Sequence, residues 1–548
     1  MEHVHPDSAS DLGLSVVKDW VQNCLANHTD CCQAGPFQLP THVLDVGVHN
    51  GNIRLYLSPG EKAHYLALSH CWGLNQSCKT TIANIEERKI RIQFESLPKT
   101  YQDTITVARS LNVRFIWIDS LCIIQDNVSD WQRESASMST VYKNALLTIA
   151  AARSADINGG CFAPRPPSVI SQMMVLPSAD NDGDDLKIFF RKPILTHSVF
   201  SYGFHDADAS QFPLEDHAWC FQERILPTRI VHYTNEELVW ECNGPNECEC
   251  GVMQSGKQEP SLREYFRALL DEESPDRAEI WMELITKCSK RKLSFESDRL
   301  HTISGLAKSL QERGFGEYLA GLWKESLPRQ LLWSASGRRT PSYRAPTWSF
   351  ASVEATSILD CCDKIMPSEK TMHLQVLQAS VVPAGEDPRG PVCDGSIRVS
   401  GPLQLGTVFW DYVNSNHGRS TKYYMHILGK RKDIHFDYPF INTDEDVVSK
   451  DRPFDSLQRD LDNMSLGHDN DNNLETPEGL KVSLLAVCTE KLRYEAHNQG
   501  WSVLWCLILR QSARVAGTLE RVGILGLNQP DEPQKWLDEA NMTTVTIV

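Results

Sequence analysis

Three short runs in the first third of the chain are apolar at nearly every position: Tyr65-Leu66-Ala67-Leu68-Ser69, Arg114-Phe115-Ile116-Trp117-Ile118-Asp119 and Leu146-Leu147-Thr148-Ile149-Ala150-Ala151-Ala152. A strand with one solvated face alternates, so runs of this kind belong to a sheet covered on both sides. The segments between them have helical spacing. Leu97-Pro98-Lys99-Thr100 opens one helix, in which Tyr101, Ile105, Ala108 and Leu111 share a face; a second runs from Asp130, as N-cap, to Lys143. Strand, helix, strand, helix, strand with short connections predicts an α/β fold with a mainly parallel sheet. At its centre lies Trp117-Ile118-Asp119-Ser120-Leu121-Cys122-Ile123-Ile124-Gln125-Asp126, read as a buried strand with a polar exit.

At 548 residues the chain is too long for one ordinary core. Residues 1–60 are expected to hold a helix (Leu12 to Asn27) and a hairpin (Thr41 to Leu57, turning at His49-Asn50-Gly51), and residues 61–165 the α/β core. Residues 166–355 read as an extension, first mixed and then helical, and 356–548 as a β-rich C-terminal domain. Strands are expected there over Leu374–Ala379, Ser396–Ser400, Thr421–Ile427, Lys481–Cys488, Ser502–Leu509 and Glu520–Leu525. A polar loop near 442–479 is expected to be mobile, and its His468–Asn473 stretch lacks the Gly and Glu offsets of an EF-hand.

A net charge of −17 argues against nucleic-acid or anionic-membrane partners, which need a basic surface. The first residues form no signal peptide, and no run reaches the roughly 18 apolar residues of a membrane span. The 17 Cys are then expected to be mostly buried, reduced thiols of a cytoplasmic protein. One group stands out, Cys24-x3-His28-x2-Cys31-Cys32, whose short spacing suits zinc. Further ligands would have to come from afar, for example Cys242, Cys248 or Cys250, and the favoured reading is a helix end with buried thiols and no metal.

Several blocks occur in a fixed order: Tyr65-Leu-Ala-Leu-Ser-His-Cys-Trp-Gly73, Leu97-Pro-Lys-Thr100, Trp117 to Asp126, Asp130-Trp131 with Glu134, Tyr142, Ala218-Trp-Cys-Phe-Gln-Glu-Arg224, Leu238-Val-Trp-Glu-Cys242 and Arg344-Ala-Pro-Thr-Trp-Ser-Phe350. In these blocks the chain resembles the fungal heterokaryon-incompatibility (HET) domain proteins, over about Leu12 to Val353. The resemblance implies a part in non-self recognition and regulated cell death in a filamentous fungus. The HET domain is in turn distantly similar to TIR domains, which implies a TIR-like, flavodoxin-like core with helical elaborations. Some TIR domains split NAD between nicotinamide and ribose, and by that analogy Tyr65 to Gly73 parallels the first strand and loop. Glu134 parallels the catalytic glutamate.

The residues support that chemistry in outline. Cleaving an N-glycosidic bond builds oxocarbenium charge, which a carboxylate stabilises. Trp131, Glu134, Met138 and Tyr142 fall on one helical stripe, so Glu134 either lines a pocket or pairs with a cation such as Arg109, Arg153 or Arg224. Ser69, Cys71, Trp72 and Gly73 follow a strand, where α/β folds bind ligands, and with Trp131 are candidates to hold a nucleotide. A different enzyme reading uses Cys122 as nucleophile, His70 as base and Asp119 as the orienting group, in small-molecule metabolism. Arg224 suits a phosphate or, more simply, a pair with Glu223. The non-enzymatic alternative is a signalling module that acts by self-association or through an incompatibility partner. No G-x-x-x-x-G-K-[ST] is present, so no nucleotide switch accompanies the domain.

Overall fold

The apolar runs become the middle of an eight-stranded sheet. In the computed structural model its strands are β1 (His42–Asp45), β2 (Arg54–Leu57), β3 (Tyr65–Ser69), β4 (Phe115–Trp117), β5 (Leu147–Ala150), β8 (Arg229–Tyr233), β9 (Leu238–Cys242) and β10 (Glu247–Cys248), in the order β10-β9-β8-β5-β3-β4-β1-β2. Outside it, β6 (Gln172–Leu176) and β7 (Leu186–Phe190) pair with each other. The structure describes residues 3–548 except 32–34, 49–50, 75–76, 177–185, 195–211, 254–260, 275–276, 341, 361–367, 416–417, 438–479, 493–500 and 529–531. The expected 442–479 loop and the His49-Asn50 turn therefore lie outside the described residues.

The sheet is mixed rather than mainly parallel. Its core, β4-β3-β5-β8, is parallel, whereas the pairings that add β1 and β2 on one flank and β9 and β10 on the other are antiparallel. The reason is that each flank is a hairpin, whose tight turn reverses the chain. The Thr41–Leu57 hairpin was visible in the sequence, but not its attachment to the parallel core.

Helices α1 (Asp11–Asn27), α2 (Ile85–Ile90), α3 (Lys99–Ser110), α4 (Asp119–Cys122) and α5 (Val128–Asn144) precede α6 (Cys220–Ile225), α7 (Leu262–Leu270), α8 (Arg277–Ser289) and α9 (His301–Gln311). Chain order steps from β3 to β4 in one direction and from β4 back across β3 to β5 in the other. Right-handed crossovers therefore put α3 and α5 on opposite faces. Two local readings need correction. The Trp117–Asp126 stretch is a strand only to Trp117, after which Asp119–Cys122 turns into α4, with Cys122 N–H donating to Ile118 O at 2.8 Å. An apolar run of that length does not distinguish strand from buried helical turn. The α5 cap is Asn127, whose side chain accepts from Asp130 N–H, while the Asp130 carboxylate accepts from Ile124 N–H at 2.8 Å.

The chain divides into two compact units, residues 1–325 with 382–393, and residues 326–381 with 394–548; the sequence reading began the β-rich part at 356. The first unit also holds the pair β11 (Tyr318–Leu319) and β12 (Leu322–Trp323), and the second holds β13 (Trp333–Arg339), β14 (Val353–Asp360), β15 (Ser368–Met372), β19 (Lys430–Asp433) and β20 (His435–Phe436). All six expected strands occur in the second unit, at β16 (Gln375–Pro383), β17 (Val392–Ser415), β18 (Gly418–Ile427), β21 (Leu480–Leu492), β22 (Trp501–Gln511) and β23 (Leu519–Leu527). They belong to an almost wholly antiparallel sheet. Among the described residues, no helix is long and apolar enough to cross a membrane.

Candidate functional site

The parallel strands β3 and β4 end side by side, with Ala67 opposite Trp117, so the residues that follow them share one edge of the sheet. This is the edge at which α/β sheets bind ligands. Successive side chains of an extended chain point to opposite faces, and Ser69 and His70 show it. Ser69 Oγ donates to Glu223 Oε2 of α6 at 2.5 Å. His70 Nε2 instead meets the Tyr101 hydroxyl of α3 at 3.0 Å, and that hydroxyl lies 2.7 Å from Ser120 Oγ. His70 Nδ1 is 3.8 Å from Asp119 Oδ1.

Asp119 is the hub. The Trp72 indole N–H donates to its Oδ2 at 2.7 Å and the Ser120 N–H to its Oδ1 at 2.7 Å. Its side chain keeps 16% of its surface in solvent, and Trp72 is half-buried. Gly73 closes the turn with φ +70°; a Cβ there would stand 2.4 Å from Asp156 Cβ, so no other residue fits without displacing that loop. Burial lowers the His70 pKa, against the pull of Asp119.

Glu223 behaves unlike its sequence neighbour. Burial, then repulsion from Asp119, pushes its carboxyl up to about 8, with hydrogen bonds from Ser69, Tyr142 and Cys220 opposing. Sequence reasoning had paired Glu223 with Arg224. Arg224 instead makes a two-pronged bond to Glu241 at 2.9 Å and another to Glu215 at 3.0 Å, all buried. His232 and Arg291 complete that network. Arg224 is thus committed to structure, and the signal for Glu223 was a carboxylate inside an otherwise apolar block.

Glu134 reaches the same end of the sheet without touching these residues in any described contact. It is 3% exposed, and its Oε1 lies 3.3 Å from Arg133 Nε. None of Arg109, Arg153 or Arg224 is its partner, because those guanidiniums bond to Val46 O and Gly51 O, to Asn235 and Gly159 O, and to Glu241 and Glu215. His42, Asp130 and Glu134 bring ligand-type atoms within 4.8 Å of one another. Trp131 packs edge-on against His301 of α9, with ring centroids 5.6 Å apart.

The cysteine arrangement does not form. The Cys122 sulfur accepts from Ile118 N–H at 3.4 Å and faces Ile116 O at 4.0 Å, turned back onto β4, while the ring nitrogens of His70 face Tyr101 and Asp119. Burial raises the Cys122 thiol pKa, which suppresses the thiolate. Cys71 is likewise pushed up to about 12 by burial and nearby carboxylates, and packs with Ala150, Leu214, Cys220 and Ile230. A polar depression of about 330 Å³ lies between α2 and the start of α3, lined by Cys78, Arg88, Pro98 and Asn158 among others; it contains none of the residues above.

The constellation is therefore a partly exposed carboxylate held by an indole, a buried histidine–tyrosine–serine relay on one face, and a raised carboxyl on the other. No curated protein and no solved structure matches the chain. The family model of the heterokaryon incompatibility protein (HET) matches residues 65–223, which begin at the first residue of β3 and end on Glu223. The strand-end cluster is thus bracketed by that match, and the chain carries a heterokaryon incompatibility (HET) domain over residues 65–223.

Proposed function

We propose that this HET-domain protein acts in fungal incompatibility, inside the cell, by hydrolysing the nicotinamide–ribose bond of NAD at the end of β3 and β4. The observation that carries the reading is Asp119, a carboxylate with 16% of its side chain in solvent, fixed by the Trp72 indole beside His70. A carboxylate fixed in this way stabilises the oxocarbenium charge that develops as a cationic nicotinamide leaves. The exposed part of Trp72 offers a flat surface for a base or nicotinamide ring. Glu134, the residue to which the TIR likeness points, takes this role only when Arg133, with half its side chain exposed, swings aside.

Nicotinamide release by the purified full-length chain tests the proposal. Asp119→Asn is expected to lower turnover about 100-fold or more, the scale of losing one preorganised electrostatic group, with Glu134→Gln largely active. The opposite pattern returns the role to Glu134. If the wild-type chain releases no nicotinamide at any concentration, including conditions in which it self-associates, hydrolysis is rejected. Signalling by assembly then takes its place.

A further inference from the structure

We infer that Cys24, His28, Cys31 and Cys242 form a structural zinc site that staples the N-terminal helix to the edge of the HET sheet. Cys24 and His28 are one helical turn apart at the end of α1, and Cys31 closes the 3-10 turn that follows. Cys242 is the last residue of β9. The packing brings these four distant positions together so that one ligand atom from each lies within 4.8 Å of the others. His28 Nδ1 stands 3.4 Å from Cys242 Sγ. A tetrahedral zinc, with bonds of about 2.3 Å to sulfur and about 2.0 Å to nitrogen, puts such a pair roughly 3.5 Å apart.

The surroundings suit thiolates. Gly244 N–H points at Cys242 Sγ at 3.2 Å, and Arg229 Nε points at Cys24 Sγ at 3.2 Å. Arg229 is 1% exposed, and its other described partners are the carbonyls of Cys31 and Leu146, with no carboxylate among the described residues. A buried guanidinium without a counter-charge is costly. Three thiolates, one neutral imidazole and one Zn²⁺ carry a single negative charge, which balances Arg229 and supplies the outer-shell hydrogen bonds that tune such sites. Gly244 is also fitted to the ligand: a Cβ there would stand 2.9 Å from His28 Nδ1. With all four positions filled by protein, the site leaves none open for catalysis and is structural.

A second thiol group in the same unit marks the contrast. Cys248 and Cys250, the other distant cysteines that the spacing suggested, lie 3.5 Å apart with Glu237 beside them. They are not part of the four-residue cluster.

Metal analysis of the full-length chain, purified without chelator, decides the matter. The expected result is about one zinc per chain, exchangeable for cobalt with the intense visible absorption of a tetrahedral thiolate complex. Chelation is expected to lower the melting temperature. His28→Ala and Cys242→Ser lose the metal; His28→Cys, which supplies another sulfur, keeps it, as does Cys248→Ser. Because those variants can fail to fold, the cobalt spectrum of the wild-type chain is the independent arm. A chain that binds neither zinc nor cobalt overturns the assignment. So does full zinc in Cys242→Ser, or a disulfide joining any two of Cys24, Cys31 and Cys242 in the native protein.

Discussion

In the HET unit the inner strands β3, β4, β5, β8 and β9 are buried at every residue, while β16 of the second unit is mostly exposed, with Ala379 its one buried position. The parallel centre of the first sheet needs helical crossovers, which cover both faces and leave the strand ends as the place where polar groups gather. The antiparallel sheet needs no helical crossovers, although its inner strand β23 is buried at all but one residue. Each unit nevertheless buries an arginine. Arg224 is bonded to two carboxylates, whereas Arg521 has one, Asp437 at 2.9 Å, with the carbonyls of Leu331 and Trp333 and the Trp333 ring 3.6 Å away. The difference teaches that Arg224 is one member of a network of two carboxylates, while Arg521 serves as a local clamp.

Removing the guanidiniums tests this contrast most strongly. Arg224→Met takes a guanidinium from both Glu215 and Glu241, leaving them Arg291 and His232, and is expected to cost about 3–5 kcal/mol, seen as lost hydrogen-exchange protection in β8 and β9. Arg521→Met takes a guanidinium from one carboxylate, Asp437, so a smaller cost of about 3 kcal/mol is expected, confined to β22 and β23. Equal loss in both sheets from either variant breaks the contrast and makes the two units one cooperative system.

A pH series sharpens it next. The Glu223 carboxyl is raised from 4.5 to about 8 in the fold, so the unfolded chain gives up that proton first. Its contribution to stability is full below about 4.5, falls as pH rises from 4.5 to about 8, and is flat above that. Thermal melts between those limits should show the fall, worth a few kcal/mol at most, and Glu223→Gln should remove it. A variant with the wild-type slope sinks the assignment.

The smallest effect is expected from Cys122→Ala. The thiol is buried against β4 and makes only weak backbone contacts, so the loss should be about 1 kcal/mol with turnover unchanged. A large loss of turnover without loss of stability revives the cysteine nucleophile.

Much of this was legible in the residues. The continuous apolar character of Tyr65–Ser69 and Leu147–Ala150 announced central strands, and the spacing of Tyr101, Ile105 and Ala108 announced α3, because side-chain periodicity is a local property. Asp119–Cys122 misled for the same reason: four residues show too little of any period to tell a strand from a helical turn. The raised carboxyl of Glu223 was not legible, because its causes, burial and then repulsion from Asp119, come from the packing of segments distant in sequence.

The sequence by itself determined the family blocks, the strand and helix order, and the presence of polar residues after β3 and β4. Only the tertiary structure decided which distant groups meet. It joined Cys242 to Cys24, His28 and Cys31, gave Arg224 to Glu241 and Glu215 rather than to Glu223, and turned Cys122 away from His70. The physical reason is that pairing between remote segments is set by how strands and helices pack, and that packing leaves no period in the sequence to read.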